Sequence, residues 1–386
     1  MRPRRQIIGP VILPLLAAGL LAQAVVHLLR VSVTYEALGE GMGASVVGLL
    51  SAVFALLPVF LTVQIGRFND RGHAALATVL GGVALLSGAV MLWLVPTSLP
   101  LLILSTAVLG IGLTLLVSSL QLIVMLCSTR AHRDGILGNY MVAMSLGQAL
   151  GPLCVGLGGW VFPLATAGAV LTLGAGLLLW RVVPARRRAG ADEKIPLSRI
   201  AATPGLPWII LTGATCVTAM DLLLAFMPVL GDARGLAPAT VGLLLSLRAV
   251  AAMASRLLFG RAVRQFGRMR LLLGSVGIAG SGLLALALPL PVWGMAAALF
   301  ASGFGLGIAL TGTVALTVEI SPKAVRGTAL SLRLTANRIA QFGLPLLAGL
   351  LVAPFGAGGI FALTGAALLA APLSRPRGLV LSGADR

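Results

Sequence analysis

The chain has 386 residues, of which 58% are hydrophobic and only 10% charged, with a formal net charge of +18 at pH 7. A soluble domain needs roughly 25% charged residues to cover its surface, so most of this chain, with a mean hydropathy of +1.05, does not face water. Soluble enzyme, secreted scaffold and nucleic-acid binder are thereby excluded as main readings.

A membrane helix takes about 20 apolar residues, so a dozen would use roughly 240 positions and leave about 11 for each tail or connection. Twelve helices are predicted in chain order. The first six cover about 9–36, 45–66, 74–96, 100–127, 137–160 and 162–183. The second six cover about 205–231, 239–260, 270–289, 292–319, 328–352 and 356–374. Helix follows because bilayer hydrocarbon offers no water to satisfy backbone N–H and C=O groups. The opening Met1-Arg2-Pro3-Arg4-Arg5 ahead of apolar Ile7–Leu29 reads as an uncleaved first span rather than a leader. Between the sixth and seventh helices, Arg186-Arg187-Arg188 and Asp192-Glu193-Lys194 mark the only long polar stretch. The expected organisation is a bundle over 1–184, a linker over 185–204 and a second bundle over 205–386. Cys127, Cys154 and Cys216 stand singly, with no CxxC spacing, and are read as small buried hydrophobes.

Lys and Arg in the connections fall on one side, Arg234 excepted; Arg30, Arg248, Arg256, Arg333 and Arg338 fall inside predicted helices. This asymmetry is the positive-inside pattern, which puts both termini in the cytoplasm and makes the basic charge a topology device. The halves also repeat. Val47-Gly48-Leu49-Leu50 recurs as Val241-Gly242-Leu243-Leu244 and Gly66-Arg67 as Gly260-Arg261, at an offset of 194, and Pro152 as Pro345 at 193. Two parallel six-helix repeats about an axis along the membrane normal are the build of many secondary transporters.

The loop Gly66-Arg67-Phe68-Asn69-Asp70-Arg71-Gly72-His73 resembles the signature loop of the major facilitator superfamily. That resemblance implies a latch between the bundles at the cytoplasmic end, with Gly66, Asp70 and Arg71 in the gating role. The loop departs from the pattern in its Gly72-His73 order and in Ala74-Ala75, where the family has a basic pair. The second-half copy keeps Gly260 but has Arg264 where the acid stands, so its latch is expected to be weaker or differently paired. In the fifth helix, Gly147, Gly151, Pro152 and Gly156 are similar to the glycine–proline motif of the superfamily's antiporter (efflux) branches. Small residues at this spacing let helices approach closely, and the proline bends the segment. No arginine precedes Gly110 and Gly112, where many proton-coupled drug exporters carry one.

Charges at membrane depth are expensive and mark function by default. Asp221 lies roughly 24 Å into the seventh helix at about 1.5 Å per residue, and is the only acid deep in any helix. Its repeat counterpart is His27 in the first helix, with Arg30 one turn beyond; Arg248 and Arg338, beside Asn337, are also near mid-depth. Family resemblance places helices 1, 4, 7 and 10 around a central cavity. The expectation is that Asp221 carries the coupling proton while Arg30, Arg248 or Arg338 exchanges with substrate, and that His27 faces the same cavity. A permanent Asp–Arg lock between two helices is the structural alternative. Arg256 and Arg333 lie near the cytoplasmic end and are expected to snorkel. The surplus of positive charge favours an anionic or carboxylate-bearing cargo.

No GxxxxGK[ST], HExxH or GxSxG is present, so the expected energy source is the proton gradient, with no cofactor, no metal and no enzymatic activity. The sequence-level conclusion is an all-α membrane protein working by alternating access as a monomer in a bacterial plasma membrane, without a nucleic-acid partner. Its expected activity is proton-coupled export of a drug-like or weakly acidic compound; proton-coupled uptake of an organic anion or metabolite is the alternative.

Overall fold

The computed structural model describes residues 5–95, 98–127, 133–183, 205–321 and 326–371. Every described secondary-structure element is helical. In chain order they are α1 (Arg5–Gly39), α2 (Ala44–Phe68), α3 (Ala74–Leu94), α4 (Leu99–Cys127), α5 (Arg133–Leu153) and α6 (Val161–Val182). They continue as α7 (Leu206–Ala233), α8 (Pro238–Phe266), α9 (Arg268–Leu286), α10 (Val292–Ile320) and α11 (Arg326–Ala370). A π-helical turn, Asn69–His73, joins α2 to α3, and a 3-10 turn, Cys154–Trp160, joins α5 to α6. The expected linker over 185–204 lies outside the described residues.

Punctuation is supplied by residues that cannot continue a helix. Pro238 opens the first turn of α8, where its missing N–H costs nothing. Gly267, at φ +75°, separates α8 from α9, a backbone conformation costly for residues with a Cβ. Gly72 at φ +98° and Gly356 at φ +69° break the α2–α3 and α11 runs in the same way.

Eight stretches among the described residues are long and apolar enough to cross a membrane, not twelve separate ones. Two of them, Ala44–Leu94 with 51 residues and Gly135–Val182 with 48, each hold two helices that meet at a kink with non-helical backbone, at Gly72 and Gly158. The predicted boundary between the last two helices falls at Gly356 inside α11, and the piece beyond it, Phe355–Ala370, is apolar but shorter than a full span.

Within the first half α1 packs on α5 and α6, α2 on α4, and α3 on α4 and α6; within the second, α7 packs on α11, α8 on α10, and α9 on α10 and α11. The two halves meet chiefly through α2 with α11 and α5 with α8. A Cβ at Gly48 would overlap the Pro345 carbonyl, and one at Gly242 would overlap the Pro152 carbonyl. These two contacts are mates under the sequence repeat, so one crossing is built twice. A hydrogen bond from Ser246 Oγ to the Ala149 carbonyl, 2.6 Å, ties the second crossing. Toward the 66–73 loop the pattern ends. A Cβ at Gly66 would meet nothing within 4 Å, and one at Gly260 only the Arg264 side chain at that limit. The close glycine crossings thus lie at one end of the molecule, and Gly66 and Gly260 make none.

Arg234, the one basic residue outside the positive-inside pattern, donates Nη2 hydrogen bonds of 2.8 Å to the carbonyls of Leu286 and Leu288. It caps the last turn of α9, where carbonyls lack helical partners.

Candidate functional site

Asp221 on α7 is the hub of a polar chain that crosses three helices. Its Oδ1 accepts a hydrogen bond and ion pair from Arg30 Nη1 of α1 at 2.8 Å. Its Oδ2 accepts from Gln341 Nε2 of α11 at 2.6 Å. The Gln341 Oε1 in turn accepts from Arg338 Nη1 at 3.3 Å. The Arg30 and Asp221 side chains are 9% and 18% exposed, so the pair is largely withdrawn from solvent, where truncating one partner strands the other charge. The Arg30 guanidinium also lies over the Phe54 ring of α2, 4.4 Å from its centroid, a cation–π contact. Next to it, Thr34 donates to the Ala225 carbonyl across the α1–α7 contact at 3.5 Å.

The structure therefore selects among the three candidate partners of Asp221. Arg30 binds it directly, Arg338 reaches it through Gln341, and Arg248 makes no hydrogen bond to it. Arg248 is 1% exposed, and its Nε and Nη1 have no partner. Asn337 is also buried, with Oδ1 unpartnered. His27 does not pair with Asp221, although the repeat sets them at matched positions. Its Nδ1 is 2.9 Å from the Gln23 carbonyl one turn back on α1, which turns the ring into its own helix.

Arg333 does not snorkel. It is 6% exposed, and Nη2 donates to Thr313 Oγ1 of α10 at 3.1 Å. Arg256 donates to Ser145 Oγ of α5 at 3.3 Å, across the two halves. Both are drawn inward by a hydroxyl on a neighbouring helix, information a single-helix depth estimate lacks.

In the 66–73 loop, Asp70 and Arg71 are exposed and form no ion pair among the described residues. The anchored residue is Asn69, which is buried and donates Nδ2 to Ser118 Oγ of α4 at 3.1 Å, while Phe68 and His73 stack at 4.8 Å. Arg264 is likewise exposed, and the second-half pairing is made instead by Arg268 with Glu319, 2.5 Å. The helix 5 motif does two jobs. Gly147 and Gly151 let α5 lie against the Leu20 and Ala24 carbonyls of α1, while Pro152 and Gly156 receive Gly242 and Ala239 of α8. Gln341 and Phe54 were not singled out from the sequence. The signal available for Gln341 was an uncharged amide within a turn of Arg338, inside an apolar run.

The family model of the Major Facilitator Superfamily matches residues 7–237 and 209–381. No curated protein matches the chain in sequence. Among solved structures, the chain is similar to a mutant of the nucleoside transporter NupG, with a TM-score of 0.80, 11% identity and coverage of 94% of this chain and 98% of that one. It is also similar to a POT family transporter in complex with a thioalcohol-conjugated peptide, at 0.77, 15% and 94% of both chains. A bacterial homologue of the human lysosomal transporter Spinster, inward-facing and unoccupied, gives 0.70, 16%, and 97% and 95%. At these identities the structures speak for the fold, and the family match covers nearly the whole chain. The polar chain through Asp221 thus lies inside an integral membrane protein that belongs to the major facilitator superfamily, a transporter of small substrates rather than an enzyme.

Proposed function

We propose that this protein is a secondary active transporter that exports a small organic compound, drug-like or weakly acidic, in exchange for protons. The observation that carries the reading is the Arg30–Asp221–Gln341–Arg338 chain, in which one carboxylate joins α1 to α7 and α11. Protonating Asp221 removes the charge that holds Arg30, so proton binding and helix contacts are linked through one group.

In this reading the chain has twelve spans in two bundles, 1–184 and 205–386, joined by the 185–204 linker. Both termini are cytoplasmic, the membrane is a bacterial plasma membrane, and the monomer acts without a cofactor. The end at which Gly66 and Gly260 stand clear is then the cytoplasmic one, and the conformation faces inward. Gly66, Asp70, Arg71, Gly260 and Arg264 latch that end in the opposite conformation, which accounts for the absence of an Asp70 ion pair here among the described residues.

Purified protein in proteoliposomes with an imposed pH gradient, screened over weak acids and cationic dyes, tests the proposal. Substrate flux against the proton flow is expected. Asp221→Asn is expected to abolish proton-driven flux while leaving substrate counterflow measurable. Flux in the same direction as the protons overturns export in favour of uptake, and an Asp221→Asn protein with unchanged pH dependence overturns the coupling role.

A further inference from the structure

We infer that Arg248 is the anion anchor of the central site and that it takes the carboxylate of an organic acid; this rests on the transport reading above. Arg248 is among the largest fully buried side chains of the protein, 1% exposed. Its Nε and Nη1 carry three N–H donors, none of them with an acceptor. Three buried guanidinium donors without acceptors are costly, since each unmade hydrogen bond to a charged group forfeits more than a neutral one. The position is fixed from behind: a Cβ at Gly303 of α10 would overlap the Arg248 carbonyl, so that glycine exists to seat this backbone.

The charged and titratable groups that interact with Arg248 do not satisfy it. They are Asp221 on α7, His27 on α1 and Arg256 on its own helix. Asp221 is engaged at Oδ1 by Arg30 and at Oδ2 by Gln341. His27 spends Nδ1 on Gln23, and Arg256 spends Nη1 on Ser145. Among the described residues the acid that interacts with Arg248 is committed elsewhere, which leaves its donors open to a cargo's acceptor. A carboxylate supplies two oxygens to a planar donor set, the pairing guanidinium favours. Access follows from the fold. His27 and Asp221, which interact with the guanidinium, stand on α1 and α7, in opposite halves, so parting the halves gives a cargo access to it. Arg30 and Arg248 thereby divide the work, one for the protein's own carboxylate and one for the cargo's.

Equilibrium binding to full-length protein in lipid nanodiscs, at one pH on both faces, tests this with benzoate, salicylate and octanoate against benzamide, salicylamide and octanamide. Wild type is expected to bind at least one acid at least about tenfold more tightly than its amide. Arg248→Gln is expected to lose that preference, and Arg248→Lys to keep part of it, because the charge remains while the planar donor set is lost. If Arg248→Gln fails to purify as a monodisperse species, Arg248→Lys decides the matter through a weakened acid preference. Equal binding of acids and amides by wild type, or an undiminished acid preference in the variants, overturns the assignment. Because no gradient is applied, this outcome is separate from that of the proton-driven flux experiment.

Discussion

The α1–α5 contact and the α7–α11 contact occupy matched places in the sequence repeat, yet they are held together differently. In the first half Gly147 and Gly151 bring α5 against α1 so closely that a Cβ at either would strike a main-chain carbonyl. At the repeat offset of 193 the second half has Ala340 and Leu344 there. These side chains, with Gly343, Leu347 and Ile210, border an apolar cleft of about 600 Å³ between α7 and α11. That pair is joined by a buried cluster of Leu206, Ile210 and Ala329, by a hydrogen bond from Trp208 Nε1 to the Ala371 carbonyl at 2.8 Å, and by the Asp221–Gln341 hydrogen bond. The first contact is van der Waals packing of glycines against backbone. The second adds to its packing one hydrogen bond to a carboxylate, and in the proposed mechanism that is where a proton has leverage.

The sharpest way to break this comparison is Asp221→Ala, which strands Arg30 and releases Gln341 together. A loss of about 3–5 kcal/mol is expected, read as a large fall in melting temperature, with recovery in the Arg30→Met/Asp221→Leu double variant. An additive double-mutant cycle would show that the pair is not coupled. Next comes Gly151→Leu, which writes the second half's residue into the first. Overlap with the Ala24 carbonyl and His27 Cβ is expected to destabilise by about 3 kcal/mol, and a wild-type melting temperature contradicts the packing account. Gln341→Leu removes the bridge but keeps the Arg30 pair. About 1 kcal/mol is expected, together with a severalfold slower proton-driven flux; unchanged flux leaves the α7–α11 contact without a role in coupling. The smallest effect is expected for Gly343→Ala, where a Cβ would meet nothing within 4 Å. Its melting temperature should match wild type, a change within about 0.5 kcal/mol.

Helix placement was legible because apolar length and glycine or proline punctuation are local properties. The predicted start at 292 and the end at 127 coincide with the observed α10 and α4 termini. The count of twelve was less so, since successive helices abut directly at the kinks of Gly72, Gly158 and Gly356, with no loop between them to mark the boundary. In the site, Asp221 and Arg30 stood out as costly charges in hydrocarbon. Gln341 did not, because an uncharged amide raises no such flag. The repeat put His27 and Asp221 at one level, and His27 does lie within electrostatic reach of Asp221, Arg30 and Arg248; its Nδ1 partner, the Gln23 carbonyl, is a detail that offset does not supply. Arg333 and Arg256 were read as surface-seeking because their hydroxyl partners sit on other helices. The 66–73 loop was legible as a motif, but that its anchored residue is Asn69, through Ser118 of α4, was not, because the partner sits on another helix.

Phe54 and Arg248 stand 194 residues apart, the offset of the repeat, and each presents its backbone carbonyl to a glycine of a neighbouring helix, Gly110 and Gly303. At one of these twin seats the protein has placed an aromatic face under Arg30, and at the other a second guanidinium. When Asp221 loses its charge, Arg30 is not left bare in hydrocarbon, because the Phe54 π-cloud already shelters it. In the proposed mechanism the ring is a resting berth that lowers the cost of opening the ion pair.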